Sequence, residues 1–223
     1  MAKSKIIKEL ANNEISIEIA LNRLLIIASD LDNDALVDWV SAELHGYNKD
    51  MKLPTYRCTK STHFTYSGIN GSYQVTNIPF TFFDIITKYD ENAFDVCMTD
   101  SVATLQEFVN NSDTQSCFRD FSYLSDYVYK ETGIQCTSII QKVPLNFFRN
   151  VLSEIKTRLL RVLIKLDKEY GCLDDLDINT AIKTSEEIEK INKTVNNYIY
   201  VDNSVTVGDK NKIEGSKIVG GEQ

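Results

Sequence analysis

Arg57 and His63, which stand in an R-x5-H pattern, are the strongest candidates for catalysis in the sequence. Some ribonucleases use an Arg and a His at this spacing on a helix. Here the pair falls in a Thr-rich, β-like segment, and a hairpin of unknown register does not fix the geometry that an acid–base His needs. Arg57 and His63 are therefore candidate catalytic residues, but the sequence favours a non-catalytic role for both.

A second group of polar and aromatic residues flanks the end of a predicted helix and the entry into the next segment. These side chains could line a small polar binding pocket, or they could stabilise the junction between the helix and the next segment. The structural role is the favoured interpretation. Trp39 falls at a helical core position, so packing is favoured over ligand binding for it. The candidate binding residues are Trp39, Glu43, Tyr47, Tyr56 and Arg57, with His45 beside them.

No motif in the sequence predicts a metal or a cofactor. Asp30, Asp32 and Asp34 resemble the start of a calcium loop, but Ala35 stands where that loop needs Gly and Ser41 where it needs Glu. Two His residues and the lack of a C-x-x-C pair argue against zinc. Neither a G-x-S-x-G nor a G-x4-G-K-[ST] motif occurs. We therefore expect no metal and no cofactor, and we favour a protein without enzyme activity.

The cysteines are five in number and widely spaced, which fits neither a disulfide framework nor a zinc site. We expect them to be reduced and buried as small apolar side chains, as in a cytosolic protein. They are Cys58, Cys97, Cys117, Cys136 and Cys172.

The composition is that of a globular protein with an acidic balance. The chain has 223 residues, with 24 Lys and Arg against 32 Asp and Glu, so its net charge is −8. No basic stripe offers the clustered contacts that nucleic-acid phosphates need. The opening MAKSKIIKEL reads as the start of a helix rather than as a signal peptide, and no stretch is apolar enough to cross a membrane. A cytoplasmic location is the prediction.

The first part of the chain, which must position these candidates, reads as helical. Apolar residues recur at helical spacing in 4–30, as one or two helices, and in 33–45. Ser16 can start the second helix, and Asn33 or Asp32 can cap the third. We expect two antiparallel helices joined by a short turn.

The remainder combines a β-like segment, two short helices predicted from Phe82 and from Val102, and one long helix. Residues 56–78 are rich in Thr, Tyr and Phe, which predicts a hairpin with its turn at 68–71. A short strand is predicted at 134–143, and an apolar stripe predicts a helix of about 25 residues over 145–170. Together these elements predict an α+β fold, a predominantly helical domain with a small β-hairpin layer and a C-terminal β-rich tail.

The chain divides into three predicted parts. Residues 1–172 form the main domain, with the hairpin inserted near 56–78, and 173–195 form an acidic or helical linker. Residues 196–223 carry short β-branched pieces broken by Asn, Asp and Gly. Such pieces cannot form a core alone, so the tail is either a frayed terminus or a segment that adds strands to a partner or to other copies of the chain.

One continuous run, residues 20–57, carries a family resemblance. It contains Ala20-Leu21, Leu24-Leu25, Trp39-Val40, Glu43-Leu44-x-Gly46-Tyr47 and Leu53-Pro54-x-Tyr56-Arg57. This run resembles the N-terminal signature of the AbiTii domain family. The order of the predicted elements, a β-like segment followed by a long closing helix, also resembles that family as far as about residue 170. The resemblance implies a bacterial, cytosolic component of abortive-infection phage defence, and it supplies no catalytic residues.

Three functional hypotheses follow. The first is a non-enzymatic defence module that recognises a phage-derived or host protein and self-assembles, partly through 196–223, as a homo-oligomer. The second is a toxic enzyme, such as an RNase or a nucleotide hydrolase, that uses Arg57 and His63. The third is an effector that exposes the amphipathic helix at 145–170 and perturbs a membrane. The lack of catalytic motifs favours the first.

Overall fold

A computed structural model of the protein describes residues 3–89, 91–111 and 116–200. These residues form eight α-helices and six β-strands, which confirms an α+β fold dominated by helices. The helices are α1 (Lys5–Ala11), α2 (Ile17–Ala28), α3 (Asp34–His45), α4 (Phe83–Tyr89), α5 (Val102–Asn111), α6 (Ser125–Thr132), α7 (Leu145–Tyr170) and α8 (Ser185–Tyr200). The strands are β1 (Cys58–Thr59), β2 (His63–Asn70), β3 (Tyr73–Pro79), β4 (Val96–Cys97), β5 (Ser116–Asp120) and β6 (Gln135–Pro144).

The starts of α2 and α3 confirm the predicted caps. The Ser16 hydroxyl accepts a hydrogen bond from the amide of Ile19 at 3.1 Å, and the Asn33 side chain accepts one from the amide of Leu36 at 3.2 Å. Each bond satisfies an amide that the first turn of a helix leaves without a partner inside the helix. Local sequence therefore sets where these two helices begin.

Helix α7 is the central element of the helical core, and its predicted bounds are confirmed. It begins directly after Pro144, ends at Gly171 and contacts α1, α2, α5 and α8. The apolar stripe of α7 is buried because those four helices cover it. The stripe consists of Phe148, Val151, Ile155, Leu159, Val162, Leu163 and Leu166.

The predicted hairpin is confirmed as β2–β3, but it is half of a four-stranded antiparallel sheet with the order β3–β2–β6–β5. The predicted position of its turn is wrong in one respect, because Gly68 lies inside β2. A Cβ atom on Gly68 would stand 2.1 Å from the carbonyl oxygen of Gln135 in β6, so the close approach of the strands requires glycine. The turn falls at Gly71 and Ser72, where Gly71 has a φ of +61°.

The sheet packs its own apolar cluster, which is separate from the helical core. Phe64 lies at the centre of this cluster, with its ring centroid 5.2 Å from that of Phe121 and 5.4 Å from that of Phe94, both edge-to-face. Strand β6 joins the two clusters, because Ile139 belongs to the sheet cluster and Val143 to the helical core. The sheet is thereby held against α7.

The prediction that all five cysteines are reduced is wrong for two of them. Cys58 in β1 and Cys97 in β4 lie opposite each other in an antiparallel pair and form a disulfide. Their spacing gave no sign of this because the two residues are 39 positions apart and only the fold brings them together. Cys117 and Cys136 are free, and Cys172 is free and exposed rather than buried.

The segment predicted as a linker, 173–195, contributes side chains to the helical core. Leu173 and Ile178 are buried, and α8 packs on α7 and α3. Residues 196–200, predicted to begin the β-rich tail, form the last turn of α8, because Ile199 continues the helix's buried face. The rest of the predicted tail, 201–223, lies outside the described residues. Within the described part of the chain, no helix combines the length and the apolar character needed to cross a bilayer.

Candidate functional site

The centre of the candidate site is an ion pair between Glu43 and Arg57, both of which have no exposed side-chain surface. Glu43 lies in the last turn of α3, and Arg57 lies in a single 3-10 turn that follows Pro54 and leads into β1. Arg57 Nη2 donates to Glu43 Oε2 at 2.6 Å, and Arg57 Nε donates to Oε1 at 3.2 Å. The pairing is bidentate, which is the strongest geometry for an Arg and a carboxylate.

Two tyrosines also donate hydrogen bonds to the Glu43 carboxylate, and a tryptophan donates to one of these tyrosines. The hydroxyls of Tyr47 and Tyr56 both donate to Glu43 Oε1, at 2.7 Å and 2.6 Å. Trp39 Nε1 in turn donates to the Tyr56 hydroxyl at 2.9 Å. We call these five residues, Trp39, Glu43, Tyr47, Tyr56 and Arg57, the Glu43 network.

The remaining bonds of Arg57 fix the segment that follows β4. Arg57 Nη1 donates to the carbonyl oxygens of Met98 and Asp100, at 2.9 Å and 2.8 Å. Together with the bonds to Glu43, these use four of the five N–H groups of the guanidinium. The Tyr47 ring covers the same guanidinium, with Arg57 Cζ 4.7 Å from the ring centroid. All of these Arg57 contacts lie inside the protein.

The electrostatics of the Glu43 network keep its donors protonated. Burial, followed by the negative charge of Glu43, raises the pKa of Tyr47 and of Tyr56 well above the usual range for tyrosine. For Arg57, burial acts to lower the pKa, but the hydrogen bonds to Glu43 and the charge of Glu43 outweigh it and raise the pKa. The network therefore consists of a charged Glu43–Arg57 pair whose carboxylate accepts hydrogen bonds from two neutral tyrosine hydroxyls.

Arg158 extends the network toward the end of α8, and sequence reasoning missed it. Its guanidinium Cζ lies 4.6 Å from the centroid of the Tyr56 ring. Arg158 Nη1 donates to the carbonyl oxygens of Tyr198 and Ile199, at 3.1 Å and 2.7 Å. A usable signal existed, because position 158 interrupts the apolar stripe of α7 with a charge, three residues after Ile155.

A surface cavity of about 550 Å³ adjoins the Glu43 network. Trp39 and Tyr47 belong both to the network and to the cavity wall, so the hydrogen bonds of the network fix the positions of these two wall residues. Tyr200, the last residue of α8, also lines the cavity, and its hydroxyl donates to the carbonyl oxygen of Ala35 at 3.1 Å. The lining residues of this Trp39 cavity are Ala35, Asp38, Trp39, Ala42, Tyr47, Met51, Lys52 and Tyr200.

The structure brings together the five predicted binding residues but places His63 elsewhere. His63 is the first residue of β2, is exposed and pairs with Lys142 of β6. Arg57 directs its hydrogen bonds to Glu43 and to the 98–100 segment. In the part of the chain that the structure describes, no group of three or more His, Cys, Asp or Glu side chains could hold a metal ion.

The model of the AbiTii family matches residues 4–196. The chain belongs to the AbiTii family. This confirms the resemblance seen in residues 20–57, and the AbiTii match spans the whole Glu43 network. No curated protein and no solved structure matches the chain. Membership of the AbiTii family suggests a role in abortive-infection defence against phage.

Proposed function

We propose that this protein is a non-enzymatic recognition module of an anti-phage defence system, and that it binds a protein partner through the Trp39 cavity. The observation that carries the proposal is that Arg57 is fully buried and uses four N–H groups inside the protein, beside a cavity walled by Trp39 and Tyr47. An Arg whose N–H groups are used in this way stabilises the residues of a binding surface and is not available to contact a substrate.

The chemistry of the cavity suits an apolar or aromatic side chain of a protein. Tyr47, which is half-buried, offers rigid aromatic surface, and the exposed Met51 offers an adaptable apolar one, while the buried Trp39 forms part of the cavity wall. A volume of about 550 Å³ falls within the range of ordinary ligand sites. Asp38 and Lys52, both exposed, place one charge of each sign at the cavity. Such a mixed rim fits a peptide better than it fits a polyanion.

The test blocks the cavity without touching the Glu43 network. Ala35→Phe fills the cavity, and Ala103→Phe makes the same change at a half-buried position on α5 that does not line it. A photo-crosslinking residue replaces Met51 in each variant, and the cells are challenged with phage. We expect Ala35→Phe to lose both the crosslinked partner and the protection measured by plaque counts, and Ala103→Phe to keep both.

Two outcomes would contradict the proposal. One is full protection by Ala35→Phe, because a blocked cavity could not then be the site of recognition. The other is loss of protection in a folded His63→Ala variant, because an exposed imidazole would then be required and the ribonuclease hypothesis would be favoured. The cytoplasmic location stays a prediction from the sequence.

Self-association is the second part of the proposal. It rests on the sequence of residues 201–223, whose short β-branched pieces cannot form a core alone. Strand addition to other copies of the chain would satisfy such pieces. The exposed strand β3 at one edge of the sheet has main-chain groups on the side away from β2, where another strand could pair.

A further inference from the structure

The disulfide between Cys58 and Cys97 lies directly against the Glu43 network. Cys58 follows Arg57 in the chain, and Cys97 precedes Met98. The main chains of Arg57 and Met98 are also joined, because the Met98 amide donates to the Arg57 carbonyl oxygen at 2.8 Å. The disulfide therefore connects the two segments that carry Arg57 and its main-chain acceptors.

The segment that the disulfide holds in place supports both the network and the cavity wall. Met98 and Asp100 accept hydrogen bonds from Arg57, and the Thr99 carbonyl oxygen accepts one from the Tyr47 amide at 2.7 Å. Strands β1 and β4 pair over only two residues each, so the ladder itself contributes few bonds. The disulfide is the one covalent link among these contacts in the described part of the chain.

We propose that Cys58 and Cys97 form a reversible thiol–disulfide site, which a low-molecular-weight thiol such as glutathione opens and the corresponding disulfide closes, and which sets the rigidity of the Glu43 network. On opening, a glutathione thiolate attacks one sulfur of the pair, and the other sulfur leaves as a thiolate. A second glutathione thiolate then attacks the glutathione sulfur of the mixed disulfide and releases the second cysteine. Two electrons pass to the protein, two protons move from glutathione to the cysteines, and glutathione disulfide is the product.

The exposure of the pair permits this exchange. Cys97 is exposed and Cys58 is half-buried, so a small thiol can reach the bond. The two other cysteines near the sheet are poorer candidates, because burial raises the pKa of Cys117 and of Cys136 and so lowers their thiolate fraction. Cys172 is exposed but free, and it serves as the control.

The experiment compares the full-length protein in reduced and in oxidised glutathione buffers. Alkylation followed by mass spectrometry reports the state of Cys58 and Cys97, and hydrogen exchange reports the amides of Tyr47 and Met98. We expect both cysteines to become alkylated in the reduced buffer, and both amides to exchange about tenfold faster there, because local opening is no longer restrained. The Gly133 amide, bonded to Tyr129 at the end of α6, should not change.

Matched variants sharpen the result. Cys172→Ser should behave like the unmodified protein, and the double variant Cys58→Ser, Cys97→Ser should exchange fast in both buffers. If the double variant does not fold, the comparison of the unmodified protein in the two buffers decides alone. A bond that does not open and close across the glutathione range would overturn the inference, as would opening without faster exchange at Tyr47 and Met98. Only an effect on partner binding would rest on the proposed function, so the two proposals can fail separately.

Discussion

At the scale of single residues, Glu43 is the acceptor on which the candidate site depends. Its carboxylate accepts hydrogen bonds from Tyr47, Tyr56 and Arg57, all within 3.2 Å. Removing it leaves the hydroxyls of Tyr47 and Tyr56 and two N–H groups of Arg57 without their acceptor, and the buried guanidinium keeps its full charge. The cost of a buried, unpaired charge is much larger than the net gain of the original pair.

We therefore expect Glu43→Leu to lower the free energy of unfolding by about 3–5 kcal/mol. Urea unfolding followed by the fluorescence of Trp39 measures the change. The control is Lys60→Met, which breaks an exposed ion pair with Asp95 and should change stability little. Equal urea midpoints for Glu43→Leu and the unmodified protein would show that the network does not stabilise the fold.

The two tyrosines of the network make stability depend on pH in the alkaline range. Burial and the charge of Glu43 raise the pKa of Tyr47 and Tyr56 above the usual 10.0, which both recover in the unfolded chain. The unfolded state therefore releases these protons at a lower pH than the folded state does. Their contribution to stability is complete below pH 10 and is lost as the pH rises above it.

We expect the urea midpoint to fall steeply above pH 10, with tyrosinate absorbance from these two residues appearing only as the chain unfolds. The variant Tyr47→Phe should show a shallower fall, because it has no proton to release at this position. A Tyr47→Phe variant with the same pH dependence as the unmodified protein would contradict the assignment of Tyr47 as a protonated donor.

At the scale of elements, the last turn of α8 contacts the candidate site. Ile199 is buried, the carbonyl oxygens of Tyr198 and Ile199 accept from Arg158, and Tyr200 lines the Trp39 cavity. Arg158 in turn lies over Tyr56 of the Glu43 network. The last turn of α8 is thus part of the support for the site, although its sequence is β-branched and aromatic.

A chain shortened to end at residue 195 should therefore be less stable than one that ends at 200. Loss of the buried Ile199 side chain alone should cost about 3 kcal/mol, and Arg158 loses its carbonyl acceptors as well. Thermal unfolding of the two shortened chains, followed by circular dichroism, compares them directly. Equal melting temperatures would show that the last turn of α8 does not support the helical core.

At the scale of the whole molecule, the described fold consists of a helical core and a sheet cluster joined along β6. In the described part of the chain, the Glu43 network and the Trp39 cavity are built from residues between 35 and 200. Removing 201–223 should therefore leave the site intact. This separates the proposed binding site from the proposed self-association.

We expect the full-length chain to sediment as an oligomer and the chain that ends at residue 200 to sediment as a monomer. Both should give the same near-ultraviolet circular dichroism, because their cores are the same. If both chains sediment as monomers, with and without phage challenge, the self-association part of the proposal is excluded, while the binding part stands or falls by the Ala35→Phe test.

The sequence alone was enough to predict the starts of α2 and α3, the bounds of α7, the presence of the β2–β3 hairpin and the family. Ser16 and Asn33 begin helices through bonds that span three residues, and the stripe of α7 follows from the period of one helix. The resemblance in residues 20–57 likewise lies in one continuous run. The caps, the stripe and the family signature all depend on residues that are close together in the chain, so the sequence shows them directly.

The contacts of the candidate residues, in contrast, follow from the packing of the fold. Two acceptors of Arg57, the carbonyl oxygens of Met98 and Asp100, lie 41 and 43 positions away, and they are main-chain groups, which no residue type reveals. The Cys58–Cys97 pair spans 39 positions, and Gly68 is required only because β6 passes close to it. These contacts depend on how helices and strands pack across the molecule. They cannot be predicted from the sequence because the spacing of neighbouring residues carries no information about which distant main-chain groups come within hydrogen-bond distance.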